Sequence, residues 1–270
     1  MSTPRHAPAE AFFLATPQGA RYCLFHAPQG RCRGALVYVH PFAEEMNKSR
    51  RMAANCARAL AASGYGVLQI DLGGCGDSDG EFADARWEHW KADLDAATAW
   101  LHERVGQPVG LWGLRLGALL ALDYARSAPV AQLLLWQPVL QGAAFMTQFL
   151  RLRVASDMLD TEQAPGGGTK ALRAQLQAGE AIEIAGYVLA PELAASIDAL
   201  DAAQLAPSCP VQWIEVVATP ERALPPAALR LAAGWANPPV LHKVVCAPFW
   251  STQEIAESDA LVAATCGLAT

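Results

Sequence analysis

Short apolar and β-branched runs alternate along this chain with longer stretches of helical composition, as expected when strands and helices wind alternately around a mostly parallel sheet. Residues 35–39 (ALVYV), 67–70 (VLQI), 109–112 (VGLW), 133–136 (LLLW), 211–217 and 240–245 read as strands, most of them bounded by Gly, Pro or Asp. Residues 48–63, 86–104 and 118–126 read as helices, and Gly64 supplies a stop for the first. Trp87, Trp90 and Trp100 lie near helical spacing, which points to core packing. Ahead of these, 11–14 and 22–26 flank a segment with Pro17 and Gly19 and predict an antiparallel hairpin. The fold class is therefore α/β, a doubly wound, mostly parallel sheet preceded by a hairpin.

The alternation stops at Gly142 and resumes after Pro210. The intervening segment is alanine-rich and predicts mainly helix, interrupted at Pro165-Gly166-Gly167-Gly168. In open α/β sheets the ligand crevice lies beyond the carboxyl ends of the strands, so an insertion after 133–136 is expected to cap it. The glycine run is then either a mobile loop or a surface linker. A length of 270 residues suits one domain carrying a cap at 142–210 better than two independent domains.

A net charge of −6 and a pI near 5.5 offer no basic surface for phosphate backbones or anionic lipid, which leaves a small ligand as the expected partner. The seven cysteines are scattered without a C-x-x-C pair, so they read as reduced thiols with no metal among them, and nothing in the chain calls for a cofactor. The apolar run 11–15 is too short for a signal peptide, and no run reaches the ~18 residues of a membrane span. Together these predict a cytoplasmic protein.

The segment richest in chemistry is 109–120, VGLWGLRLGALL. A buried strand enters a Gly-x-x-x-Gly turn and then a helix, with Gly113 and Gly117 two residues either side of Arg115. In a nucleophile elbow the central residue sits on a strained strand-to-helix turn, and small neighbours avoid clashes with adjacent elements. On this motif the chain resembles the α/β-hydrolase family. His40-Pro41-Phe42 after ALVYV looks like that family's oxyanion loop, and residues 71–80 (DLGGCGDSDG) look like its Gly-rich turn. The strings HPFAEEMNKSRR (40–51), GLRLGALLA (113–121) and WQPVLQG (136–142) are similar to the second hydrolase family associated with the exosortase A system. That resemblance implies a bacterial setting of exopolysaccharide production and protein sorting, with a protein partner from that machinery.

The family's Ser-His-acid chemistry does not carry over. Position 115 is arginine, which has no acceptor and stays protonated. The acid position after 211–217 offers only Glu221. The loop after 240–245, where the histidine is expected, reads Pro248-Phe249-Trp250-Ser251, and His242 lies within the strand. Ser78 and Cys75, in the Gly-rich turn, are stray nucleophile candidates without an evident base.

Arg115 itself stands at a helix N-terminus, where free N–H groups and the helix dipole favour an anion, and a guanidinium adds a fork for carboxylate or phosphate. By resemblance, the N–H groups of Phe42 and Leu116 are the oxyanion-hole donors and point into the same space. The competing expectation is internal neutralisation by Glu44 or Glu45, placed in the loop after His40. His40 is either a packed, hydrogen-bonded histidine or part of the ligand site. Gln137, Phe249 and Trp250 complete the candidate ligand-binding set, the two aromatics as stacking surfaces for a saccharide or acyl chain or as plain packing. Three readings follow. One is a degenerate hydrolase that binds an anionic, saccharide or acyl ligand. Another is an enzyme with Glu44 or Glu45 as base and Arg115 as electrostatic stabiliser. The third is a non-catalytic scaffold with a filled crevice.

Overall fold

The computed structural model describes residues 8–159 and 167–269. An eight-stranded sheet forms the centre, in the order β1-β2-β4-β3-β5-β6-β9-β10. The hairpin β1 (Glu10–Thr16) and β2 (Gly19–His26) is antiparallel, and β2 also runs antiparallel to β4 (Tyr65–Ile70). From β4 onward, β3 (Gly34–Val39), β5 (Val109–Leu114), β6 (Leu133–Trp136), β9 (Val211–Val217) and β10 (Val240–Val245) are all parallel. Burial explains the pattern: β5 and β6 are covered on both faces and read as unbroken apolar runs, whereas the edge strand β10 exposes Val240 and Val245.

Helices cover both faces. On one, α1 (Glu44–Ala62) and α8 (Asp259–Leu268) bring Met52, Cys56, Leu60 and Leu261 against Leu36, Trp112 and Trp136. On the other, α2 (Trp87–Val105) and α3 (Leu116–Tyr124) pack Trp90, Leu94, Leu101 and Leu119 over Val37, Leu111 and Leu135. Trp87 and Trp90 are buried and Trp100 stacks on Phe12, so all three serve packing.

Most element ends shift by one or two residues, and two differences from the sequence expectation are larger. The first helix starts at Glu44 rather than four residues later, so Glu44 and Glu45 lie in its first turn and not in a loop. The cause is Ala43, whose positive φ of 50° ends the incoming chain abruptly and lets the Phe42 carbonyl accept from Glu45 N. The segment after β6 is helical as expected in α4 (Gly142–Leu159), α5 (Gly168–Gln177) and α6 (Pro191–Asp198). It also holds a small hairpin, β7 (Ile182–Ile184) and β8 (Tyr187–Leu189), turned by Ala185 and Gly186 with positive φ. Backbone bonds from Gly142 N to Leu200 O and from Ala202 N to Leu140 O stitch the segment's two ends together where it leaves and rejoins the sheet. In the glycine run, Pro165 and Gly166 fall outside the described residues, while Gly167 caps α5 and Gly168 begins it. The remaining helix, α7 (Pro226–Gly234), lies between β9 and β10. Among the described residues no helix is long and apolar enough to cross a membrane, and all seven cysteines are free thiols.

Candidate functional site

The site is built on the carboxyl ends of β3, β5 and β6, and each of these strands is followed by a residue with positive φ that is not glycine: Ala43 (50°), Arg115 (56°) and Gln137 (43°). Such residues cost on the order of 1–3 kcal/mol each and persist only where surrounding contacts over-determine them. For Arg115 those contacts are visible. Its N–H donates to Trp136 O at 3.0 Å, and its carbonyl accepts from Ala118 N at 3.1 Å and Val139 N at 3.2 Å. Gly113 and Gly117 make the turn sterically feasible. A Cβ on Gly113 would lie 2.5 Å from Ala118 Cα, and one on Gly117 would lie 2.3 Å from Val39 O.

The Arg115 side chain, 18% exposed, turns toward the α1 side. Its Nε donates to Glu45 Oε1 at 3.3 Å, and its guanidinium carbon sits 5.6 Å from the centre of the buried Trp250 ring. Its remaining N–H groups have no hydrogen-bond partner among the described residues. Glu45 is incompletely served as well, because its Oε2 is buried without a donor. Burial pushes the Glu45 carboxyl above the usual carboxylate range, and Arg115 pulls it back. A second carboxylate, Glu215 in β9, lies close enough to feel the Arg115 charge. Glu215 is 3% exposed, its Oε1 accepts from Trp213 Nε1 at 2.8 Å, and its Oε2 is likewise buried without a donor. Burial raises its carboxyl too, against the pull of Trp213, Gln137 and Arg115.

On its other side Arg115 borders a cavity of about 560 Å³, the volume of a small organic ligand. Pro138, Val139 and Leu140 line it together with Phe145 and Gln148 of α4 and Arg230 and Leu231 of α7. The crevice is thus open, apolar-walled and bordered by two guanidiniums and one carboxylate, Asp201, whose Oδ1 accepts from Ala203 N.

A model of the serine aminopeptidase S33 family of hydrolases matches residues 30–177, more than half of the chain and including the whole elbow. The chain belongs to that family. Among curated proteins, the human protein ABHD12B is 31% identical over 110 residues, 40% of this chain. The chain spans 29% of the length of that relative. Among solved structures, ferulic acid-bound Est1E from Butyrivibrio proteoclasticus is 15% identical with a TM-score of 0.68 over 95% of this chain and 97% of the other. A soluble monoglyceride lipase variant from Saccharomyces cerevisiae is 14% identical with a TM-score of 0.64 over 98% and 95%. Agreement at such identities concerns the fold, an α/β-hydrolase.

In this S33-family chain the sequence-predicted residues separate into those that meet Arg115 and those that do not. Glu45 and Trp250 touch it. Glu44 points elsewhere: it is exposed and accepts from Asn47 Nδ2 at 3.2 Å and from the Tyr187 hydroxyl at 3.3 Å, so it links α1 to the β7–β8 hairpin. His40 has both ring nitrogens occupied, Nδ1 donating to Pro41 O at 2.8 Å and Nε2 accepting from Leu72 N at 3.2 Å, and burial holds it below the ordinary imidazole range. Neither nitrogen is free for a ligand. Phe249 is 1% exposed and packs edge-on against Trp136, so it is core and no stacking surface. Gln137 accepts from Val216 N at 2.7 Å, which ties β6 to β9 beneath the site. The Phe42 and Leu116 N–H groups have no backbone acceptor among the described residues, and Leu116 is the first residue of α3, where an N–H lacks an intrahelical partner.

The other candidates from the sequence are exposed, buried or otherwise engaged. Glu221 is fully exposed. His242 is occupied by Gln212 Oε1 at 2.7 Å. Ser78 Oγ is consumed by the Gly-rich turn, donating to Asp71 O at 2.5 Å and accepting from Tyr22 N at 2.9 Å. The Cys75 thiol is pushed far up by burial. Sequence reasoning missed Glu215 and Arg230. A charge inside the apolar run VQWIEVV signals the first, whereas Arg230 has no local signal, because only the fold brings α7 to the crevice.

Proposed function

We propose that this protein is an S33-family hydrolase fold without Ser-His-acid chemistry, which uses Arg115 to bind the anionic group of an acyl or saccharide ligand. The observation that carries the reading is a guanidinium at the elbow, bordering an open 560 Å³ pocket with most of its donors unengaged. Apolar walls at Val139, Leu140 and Phe145 suit an acyl chain, and the unpaired N–H groups of Leu116 and Phe42 suit an anion beside Arg115. A structural relative holding ferulic acid, itself a carboxylic acid, supports that ligand class. The open crevice speaks against a scaffold with a filled one. The resemblance of residues 40–51, 113–121 and 136–142 to the exosortase A-associated hydrolases supports a role beside exopolysaccharide and sorting machinery, with a protein partner there.

The test is calorimetric titration with octanoate. Arg115→Ala should weaken binding at least tenfold, since a hydrogen bond to a charged group is worth about 1.5–3 kcal/mol. Unchanged affinity would refute the reading. A fluorophosphonate probe should leave the intact mass unaltered while a control serine hydrolase labels fully. An adduct at any serine, Ser78 first, would restore serine chemistry.

A second reading is favoured by Glu45, a carboxyl raised by burial and held beside a cation, the setting of a general base. On that reading p-nitrophenyl octanoate is hydrolysed above the solvent rate and Glu45→Gln abolishes the turnover. No turnover leaves the binding reading alone.

A further inference from the structure

One guanidinium here faces two carboxylates. Arg115 Nε is bonded to Glu45 Oε1, and its charge also acts on Glu215 of β9. Neither Glu45 Oε2 nor Glu215 Oε2 has a donor, and both atoms are sealed from solvent. Neither glutamate lines the cavity, whereas Arg115 does. The other groups around the pair are few. Lys48 of α1 acts on Glu45 at a distance, the buried Tyr38 hydroxyl of β3 lies near Glu45 without a hydrogen-bond partner, and Trp213 serves Glu215. The cavity is also lined by Arg230 and Asp201, one cation and one anion.

Consider a carboxylate that arrives at Arg115. If the guanidinium turns its fork to the ligand, Glu45 Oε1 loses its only described side-chain donor, while Oε2 already has none. The Glu45 side chain is 22% exposed, but its Oε2 is sealed from water without a donor, and a carboxylate that loses its one ionic partner while an oxygen stays so sealed is favoured to neutralise. Glu215 cannot help, because it is a second anion with the same deficit. Resting on the anion-binding reading above, we propose that the pocket takes a carboxylate at Arg115 only together with a proton from solvent, which lodges on Glu45. The balance is simple: the Arg115–Glu45 ion pair is exchanged for an Arg115–ligand ion pair, and Glu45 becomes a neutral carboxylic acid. The ligand is in effect a weak acid of the carboxylic class, captured as its anion plus one proton, and Glu45 is the residue that sets this stoichiometry.

The experiment is titration of the full-length protein with octanoate in two buffers of different ionisation enthalpy, from pH 6.5 to 8.5, where octanoate itself is already ionised. The expected result is uptake of about one proton per ligand, with affinity falling about tenfold per pH unit. Glu45→Gln should bind with almost no proton uptake, should lose the pH dependence, and should be at least tenfold tighter than the parent at pH 8.5. Should that variant fail to fold, the infrared difference spectrum of the parent with carboxyl-¹³C octanoate gives an independent answer. A new unlabelled protonated-carboxyl band on binding supports the proposal, and its absence overturns it. Binding with no net proton uptake, or undiminished uptake in Glu45→Gln, overturns it while leaving the anion-binding reading intact. No octanoate binding at any pH overturns both.

Discussion

Gly117→Ala is expected to cost about 3 kcal/mol or more of folding stability, read as a lowered urea midpoint at unchanged slope. The added Cβ would lie 2.3 Å from Val39 O and 2.4 Å from His40 O, both backbone atoms at the end of a central strand. A flexible side chain could move aside, but these carbonyls belong to the chain as it leaves β3 for the Phe42 turn. The only relief is to separate α3 from β3, which opens a layer containing Ala118, Leu119 and Val39, all fully buried. The elbow rides on the same contact, so ligand binding should fall with stability. A cost under about 1 kcal/mol would mean that α3 approaches the sheet less closely than described.

Asp93→Ala carries the other large expected effect, a loss of about 3–5 kcal/mol. Arg21 Nε bonds Asp93 Oδ1 at 2.7 Å, with side-chain exposures of 2% and 0%. The second oxygen, Oδ2, accepts from Gly73 N at 2.8 Å, so one carboxylate ties β2 to the Gly-rich turn that follows β4. Removing it strands a buried guanidinium and orphans a backbone donor at once. Burial pushes the Asp93 carboxyl up, with Gly73 and Arg21 opposing. The raised folded value means that Asp93 stabilises most below its unfolded range, and that contribution declines as pH rises through the folded one. Replacing both partners with apolar residues, Arg21→Met with Asp93→Leu, should cost far less than the single change, because no charge is left unpaired. By contrast, breaking the exposed Arg104–Glu10 pair should cost less than about 1 kcal/mol. Chemical denaturation of the three variants side by side checks the order, and equal losses would contradict it.

The strand–helix alternation was legible because strands write themselves as short apolar and β-branched runs between longer helical stretches, and 133–136, 211–217 and 240–245 match their strands to the residue. The elbow was legible for a steric reason: only glycine fits at 113 and 117, whatever stands between them. The misplaced feature was the start of α1. No glycine, proline or capping side chain marks Ala43, whose strained φ is imposed by its surroundings, and the error put Glu44 and Glu45 in a common loop. On a helix, adjacent residues point about a quarter-turn apart. One glutamate therefore reaches Arg115 while the other reaches Tyr187.

By itself, then, the sequence determined the fold class, the turn that presents residue 115 and the absence of an alcohol or acceptor there, because these depend on local sterics, periodicity and residue chemistry. Only the tertiary structure decided what surrounds Arg115. Glu45, Glu215, Trp250 and Arg230 come from four separate parts of the chain, and the pairing of a buried charge depends on distances that close only when the sheet is assembled.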